Sequence, residues 1–223
     1  MRTIKQFTLL LALVGLFATG CKSMNKTQKG AVIGAAGGAV VGGVVGKALG
    51  NTALGVIAGA AVGGTVGAVI GNKMDKQAEE MQKVLGDAEV RRVGEGIVIE
   101  FKDKVLFAFD KSELNTEAKS SLDKLTAVLK KYPDTDINII GHTDNVGSDS
   151  YNMDLSVRRA TTAANYLKAS GIASSRVTTT GKGESDPKVS NDTDANRAEN
   201  RRVEFVITAN AKMIEDAKKE AGQ

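Results

Sequence analysis

The stretch GHTDNVGSDSYNMDLSVRRA, residues 141–160, brings together the chain's only histidine, His142, with Asp144, Asp149, Asp154, Arg158 and Arg159. Such a set could perform acid–base catalysis, hold a metal, or grip a ligand that carries both signs of charge. Catalysis around His142 and Asp144 needs a nucleophile or a metal held by further partners. There is no second histidine, and the single cysteine, Cys21, lies far upstream, so a zinc set cannot be assembled. The stretch DTDANR (192–197) opens like a calcium loop but has Arg197 where such a loop requires glycine. A lone histidine on a strand end is more often a packing residue. The expectation is a non-enzymatic binding site with no cofactor and no metal.

Helical geometry sorts the two arginines. A helix over Tyr151–Ser170 turns about 100° per residue, so Asn152, Ser156 and Arg159 share one face. Arg158 points roughly 100° away, beside Asp154, where an i,i+4 pair is a solvated surface feature worth a few tenths of a kcal/mol. Arg159 and Asn152 can look back at the loop that holds Asp144.

The elements that must position these residues are legible around them. AEVRRVGEGIVIEF reads as two strands about a Gly-Glu-Gly turn, and KVLFAFD as an apolar strand ending at Asp110. A helix follows, capped by Asn115, with Ala118, Leu122, Leu125 and Leu129 buried and Pro133 as its stop. TDINIIGHTD is a strand running into the cluster. The next helix is expected to bury Met153, Val157, Ala160, Ala164 and Leu167 and to end at Gly171. RVTTTG and an alternating RRVEFVIT complete the order β-α-β-α-β-β. This is an α+β, two-layer domain with helices on one side of a mixed sheet.

Upstream, the composition changes. Arg2 and Lys5 precede an apolar run from Phe7 to Ala18, a signal-peptide pattern rather than a membrane span. LFATGC resembles a bacterial lipoprotein box, which makes Cys21 the lipidated first residue of the mature chain. Lys22 follows, rather than the aspartate that resembles an inner-membrane retention signal, so the expected address is the outer membrane, with the C-terminal domain in the periplasm. Loss of Arg2 and Lys5 lowers the formal net charge from +4 to about +2, too little to argue for nucleic acid.

Between these parts stands a ladder of glycines at 30, 34, 38, 42, 46 and 50, then at 55, 59, 63, 67 and 71, with Lys47 as the sole charge. The two halves repeat one another. A spacing of four keeps the glycines on one helix face and allows two helices to pack backbone against backbone. In water each glycine costs about 1 kcal/mol against alanine, so the segment needs an apolar environment or a tight partner. A glycine-zipper helical hairpin is therefore expected, on or in a membrane, or in a homo-oligomer. The resulting organisation is 1–20 signal peptide, 21–29 lipidated tether, 30–71 glycine-zipper hairpin, 72–86 polar helical linker, 87–210 folded domain and 211–223 polar tail.

The cluster and the later GKGESDPKVSNDTDANRAENRRVEF together resemble the OmpA-like peptidoglycan-binding domain. The matching elements are T-D-x-x-G, N-x-x-L-S-x-x-R-A, G-x-G and N-R-R-V-E, spread over about residues 87–210. Asn196 departs from the pattern, standing where the family usually has glycine. The resemblance implies a site that grips the diaminopimelate of peptidoglycan stem peptides. Asp144 would take its ammonium and Arg159 its carboxylate, with Asp110, Thr143, Asn152, Leu155 and Arg201 as further contacts or supports. It implies a lipoprotein that tethers the outer membrane to the cell wall. The alternative role is membrane-associated self-assembly through the glycine zipper.

Overall fold

The protein is described by a computed structural model that covers residues 53, 55–57, 62–107 and 111–222. The signal-like segment, Cys21, most of the glycine ladder and Asp110 lie outside the described residues. Helix α1 (Gly64–Val84) leads into a hairpin of β1 (Glu89–Val93) and β2 (Gly96–Lys102). A single helical turn, α2 (Asp103–Leu106), precedes α3 (Thr116–Lys131), β3 (Thr135–Gly141) and α4 (Asp149–Ala169). The chain ends with β4 (Val177–Gly181), α5 (Asp194–Asn200), β5 (Arg202–Ala209) and α6 (Ala211–Glu220).

The five strands form one sheet in the order β1-β2-β5-β3-β4, antiparallel throughout except for the parallel pair β3–β4. Period-two alternation sends Ile97, Ile99 and Phe101 of β2 to one face, with Val203, Phe205 and Ile207 of β5 and Ile137 and Ile139 of β3. The helices cover that face. From α3 come Ala118, Leu122, Leu125 and Leu129, all fully buried, and the Asn115 side chain caps the helix by accepting from the Ala118 N–H at 2.7 Å. Phe101 and Phe205 meet edge to face at 5.6 Å between centroids, near the centre of this core.

The opposite face is covered as well. All eight residues of β5 are buried, so its alternation sorts residues between two interiors rather than between core and water. In one half, Val98, Ile140 and Val206 lie under Ala53 and Ile57. In the other half, Glu100 stands directly opposite Glu204 in the β2–β5 register, a repulsive pairing. It is offset by Lys188, 2.7 Å from Glu100, and by Arg202, 2.9 Å from Glu204.

Several expectations need correction. KVLFAFD does not begin as a strand: Val105 and Leu106 belong to α2, and Phe107 makes only an isolated bridge to Leu114. Met153 and Val157 are exposed, because the face of α4 turned to the sheet is the polar one of Asn152, Ser156 and Arg159 together with Ala160, Ala163, Ala164 and Leu167. The boundary between a hairpin ending at Gly71 and a linker over 72–86 falls inside the continuous helix α1. Val66, Ile70, Met74, Ala78 and Met81 form the core-facing stripe of that helix, the larger four each contributing on the order of 1.5–3 kcal/mol by burial. One face of residues 72–84 thus belongs to the core, hidden in the sequence by the lysines and acids on the outer face. Residues 211–220 are likewise no free tail, since α6 buries Met213 and Ala217 and lies against α1, with Lys73 and Glu220 paired at 3.0 Å. Among the described residues no helix is long and apolar enough to cross a membrane.

Candidate functional site

Three chain segments meet at one end of the sheet: the exit of β2, the exit of β3 and the entry to β5. The Asp103 N–H donates to the Arg201 carbonyl at 2.8 Å and the His142 N–H donates to the Arg202 carbonyl at 3.0 Å. Helix α4 then has to approach very closely. It can, because Gly141 and Gly181 are paired across β3 and β4 beneath it, and a Cβ on Gly141 would overlap the Ser156 carbonyl. The Gly183 N–H donates to the Ser156 hydroxyl at 2.9 Å, and the Gly183 carbonyl accepts from the Thr143 N–H at 2.9 Å. This stitching sets Arg159 against the β2 exit and Asn152 against the loop after β3.

The result is a quartet of alternating charge. Arg159 is buried; its Nη2 lies 2.8 Å from Asp103 Oδ2, its Nε donates to the Lys111 carbonyl at 3.0 Å, and its guanidinium sits 5.3 Å over the Phe107 ring. Asp144 pairs with Arg201 Nη1, and its second oxygen accepts from the Val146 N–H at 3.0 Å. The two pairs feel each other, since Asp103 responds to Arg159, Arg201 and Asp144 together. Burial dominates that balance and pushes the Asp103 carboxyl up to about 6, against the pull of both arginines. A recess of about 160 Å³ opens beside the quartet, lined in part by Asp103, Lys104, Phe107, Glu199 and Arg201.

The structure therefore brings Asp144, Arg159, Thr143, Asn152 and Arg201 to one end of the sheet, with each charged residue already partnered. Asn152 acts as a strut: its amide donates to the Asp144 carbonyl at 3.2 Å and to Glu184 at 2.6 Å. Thr143 is buried, and its hydroxyl has no hydrogen-bond partner among the described residues. Leu155 is buried on the inner side of α4, while Arg158 is exposed as expected. His142 is buried 3.8 Å from Glu204, and burial, reinforced by Arg202, pushes its pKa well below the ordinary histidine value. It belongs to the far face of the sheet rather than to the quartet. Asp103 was missed from sequence because it stands between Lys102 and Lys104 and reads there as a solvated charge. Among the described residues no group of three potential ligands could hold a metal.

An α+β domain with a five-stranded mixed sheet and this loop constellation defines an OmpA-like module. The chain carries an OmpA family C-terminal domain, whose model matches residues 106–201, and a YMGG-like Gly-zipper matches residues 1–75 ahead of it. Among curated proteins the chain is 37% identical over 119 residues to the probable lipoprotein YiaD of Escherichia coli, covering 53% of this chain and 54% of that one. It is 40% identical over 103 residues to the peptidoglycan-binding protein ArfA of Mycobacterium tuberculosis, covering 46% of this chain and 32% of that one. Among solved structures, a MotB-like protein from Desulfovibrio vulgaris superposes with a TM-score of 0.59 at 30% identity, covering 64% of this chain and 94% of that one. The chain spans between about a third and just over half of the length of these curated relatives.

Proposed function

We propose that this chain is a non-catalytic peptidoglycan-binding protein that grips diaminopimelate and, anchored through Cys21, tethers the outer membrane to the cell wall. The observation that carries the reading is the quartet of Asp103, Asp144, Arg159 and Arg201, of which Asp103 and Arg201 line the adjoining recess. Diaminopimelate ends in an ammonium and a carboxylate on one carbon, so its recognition needs an anion and a cation held a few ångströms apart. Asp144 receives the ammonium, and Arg159 receives the carboxylate through its planar pair of N–H donors. Arg201 and Asp103 hold the two side chains in place before the ligand arrives, so little ordering is needed on binding. Family membership and the name of the mycobacterial relative support the same ligand class. The Gly-zipper match keeps self-assembly at the membrane as a second role for residues upstream of the domain.

Co-sedimentation with purified sacculi tests the reading. Truncating one partner of a buried, hydrogen-bonded charge pair costs about 2–5 kcal/mol, enough to abolish sedimentation of a micromolar binder. Asp144→Ala and Arg159→Ala should each fail to sediment while remaining folded by circular dichroism, and Arg158→Ala should bind like the parent. Arg159→Lys should be weaker, because an ammonium lacks the two-pronged donor. Cell wall with lysine in place of diaminopimelate should bind poorly. Normal binding by a folded Asp144→Ala/Arg159→Ala double variant would place the ligand site elsewhere.

A further inference from the structure

The second face of the sheet carries an apolar patch of Val98, Ile140 and Val206, with Val93 packed beside it, and this patch has an occupant. Ala53 and Ile57, from the second half of the glycine ladder, are almost completely buried on it. The β1–β2 turn is shaped for this visitor. A Cβ on Gly96 would lie 2.6 Å from Ile57 Cγ1, so Gly96 leaves room for that side chain, while one on Gly94 would lie in ordinary contact at 3.5 Å from Ile57 Cγ2. Between them, the Glu95 carboxylate accepts from the Val62 N–H at 2.6 Å and from the Gly63 N–H at 2.8 Å. Gly67 carries no side chain where Glu95 crosses α1. The chain then reverses through Gly63 and Gly64, both at left-handed φ values of 70° and 63°, before α1 begins.

We infer that this sheet face is a dock for the short stretch of the chain's own glycine ladder that carries Ala53 and Ile57, and that docking competes with transfer of that stretch into a lipid bilayer. The same apolar residues cannot serve both environments. Between Gly30 and Val62 Lys47 is the sole charge, so the segment is as compatible with hydrocarbon as with the dock. What it leaves behind is an apolar patch of three aliphatic side chains, which favours return. The exchange has a built hinge, because Gly63–Gly64 separates the visitor from α1, whose own apolar residues are committed to the core on the other face. Glu95 is the latch, since its two hydrogen bonds exist only while Val62 and Gly63 lie against the β1–β2 turn.

Disulfide trapping in the full chain tests this directly. With Cys21→Ser as background, Ile57→Cys and Gly96→Cys place two thiols across the docked contact. In aqueous buffer, mild oxidation should form an intramolecular disulfide in most molecules, seen as a faster-running monomer on a non-reducing gel. Adding phosphatidylethanolamine–phosphatidylglycerol vesicles before oxidation should lower that yield several-fold, and Glu95→Gln should lower it further. Ile57→Cys with Val157→Cys, on an exposed face of α4, should give no such bond. Ile57→Cys with Val98→Cys repeats the measurement if the melting curve shows that Gly96→Cys disrupts the hairpin. A disulfide between chains would overturn the assignment of the visitor to the same molecule. No disulfide in buffer would remove the dock, and a yield unchanged by vesicles would remove the competition.

Discussion

Asp103 offers a quantitative check on the site. Its side chain is buried with Arg159 at 2.8 Å, an arrangement that usually lowers a carboxyl pKa, yet here burial outweighs both arginines and the group titrates at about 6 against an ordinary 3.8. Between those two values the folded protein holds a proton that the unfolded chain releases. Stability from this group is therefore fully present below about pH 4 and lost as pH rises through 6. A displacement of about two pKa units corresponds to roughly 3 kcal/mol. Asp103→Asn, a neutral isostere of the protonated acid, lacks this dependence. Urea denaturation of both proteins at intervals from pH 4 to 7 should show the parent losing roughly 3 kcal/mol relative to the variant across that range. A constant difference would mean that Asp103 is not perturbed in the fold. A parent that gains on the variant as pH rises would mean that attraction to Arg159 exceeds the burial penalty, and the account of the quartet would be wrong.

Other outcomes are expected from the same structure. Binding of free diaminopimelate, followed by calorimetry, should weaken as pH falls from 7 to 5.5, because protonation of Asp103 loosens its hold on Arg159; Asp103→Asn should bind weakly at both pH values. Met74→Ala, in a fully buried position of α1, should cost about 2–5 kcal/mol in denaturant unfolding, whereas a helix that merely spaced two domains would show almost no change. Gly141→Ala should destabilise by more than 1 kcal/mol and weaken sacculus binding, since the new methyl group pushes α4 away from β3. Cys21→Ser should abolish incorporation of a fatty-acid label and release the protein from the membrane fraction; unchanged labelling would remove the anchor.

The legible parts of the fold were those where one rule acted alone. Asn115 capped its helix, the Gly94–Gly96 turn closed its hairpin, and the 100° arithmetic placed Asn152, Ser156 and Arg159 on one face. The illegible parts were those where two surfaces competed for one residue. Met153 and Val157 look like core, but α4 spends its inner face on the site and on alanines that let it come close, leaving the larger apolar residues outside. In α1 the reverse occurs: Lys73, Asp75 and Lys76 give a polar reading to a helix whose every third or fourth residue is core. The sequence brought Asp144 and Arg159 together and offered Arg201 as a support, but it did not show that Asp103 pairs with Arg159. Asp103 reaches Arg159 from the helical turn after β2, distant in sequence, and no local pattern announces that pairing.

The placement of α1 has a mechanical consequence. Once Ala53 and Ile57 have left the sheet and Glu95 has released Val62 and Gly63, tension from the N-terminal side enters α1 at Gly64, the start of a helix clamped between the sheet's core and α6. Such a helix detaches turn by turn, beginning with Val66 and Ile70, rather than by shearing all its contacts at once. Its 21 residues span about 30 Å as a helix and about 70 Å when drawn out. Peeling it would therefore yield roughly 40 Å of extra length before the load reached β1, while the charge quartet at the far end of the sheet kept its geometry. An attachment built this way lengthens under strain before it lets go, and rewinds when the strain is relieved.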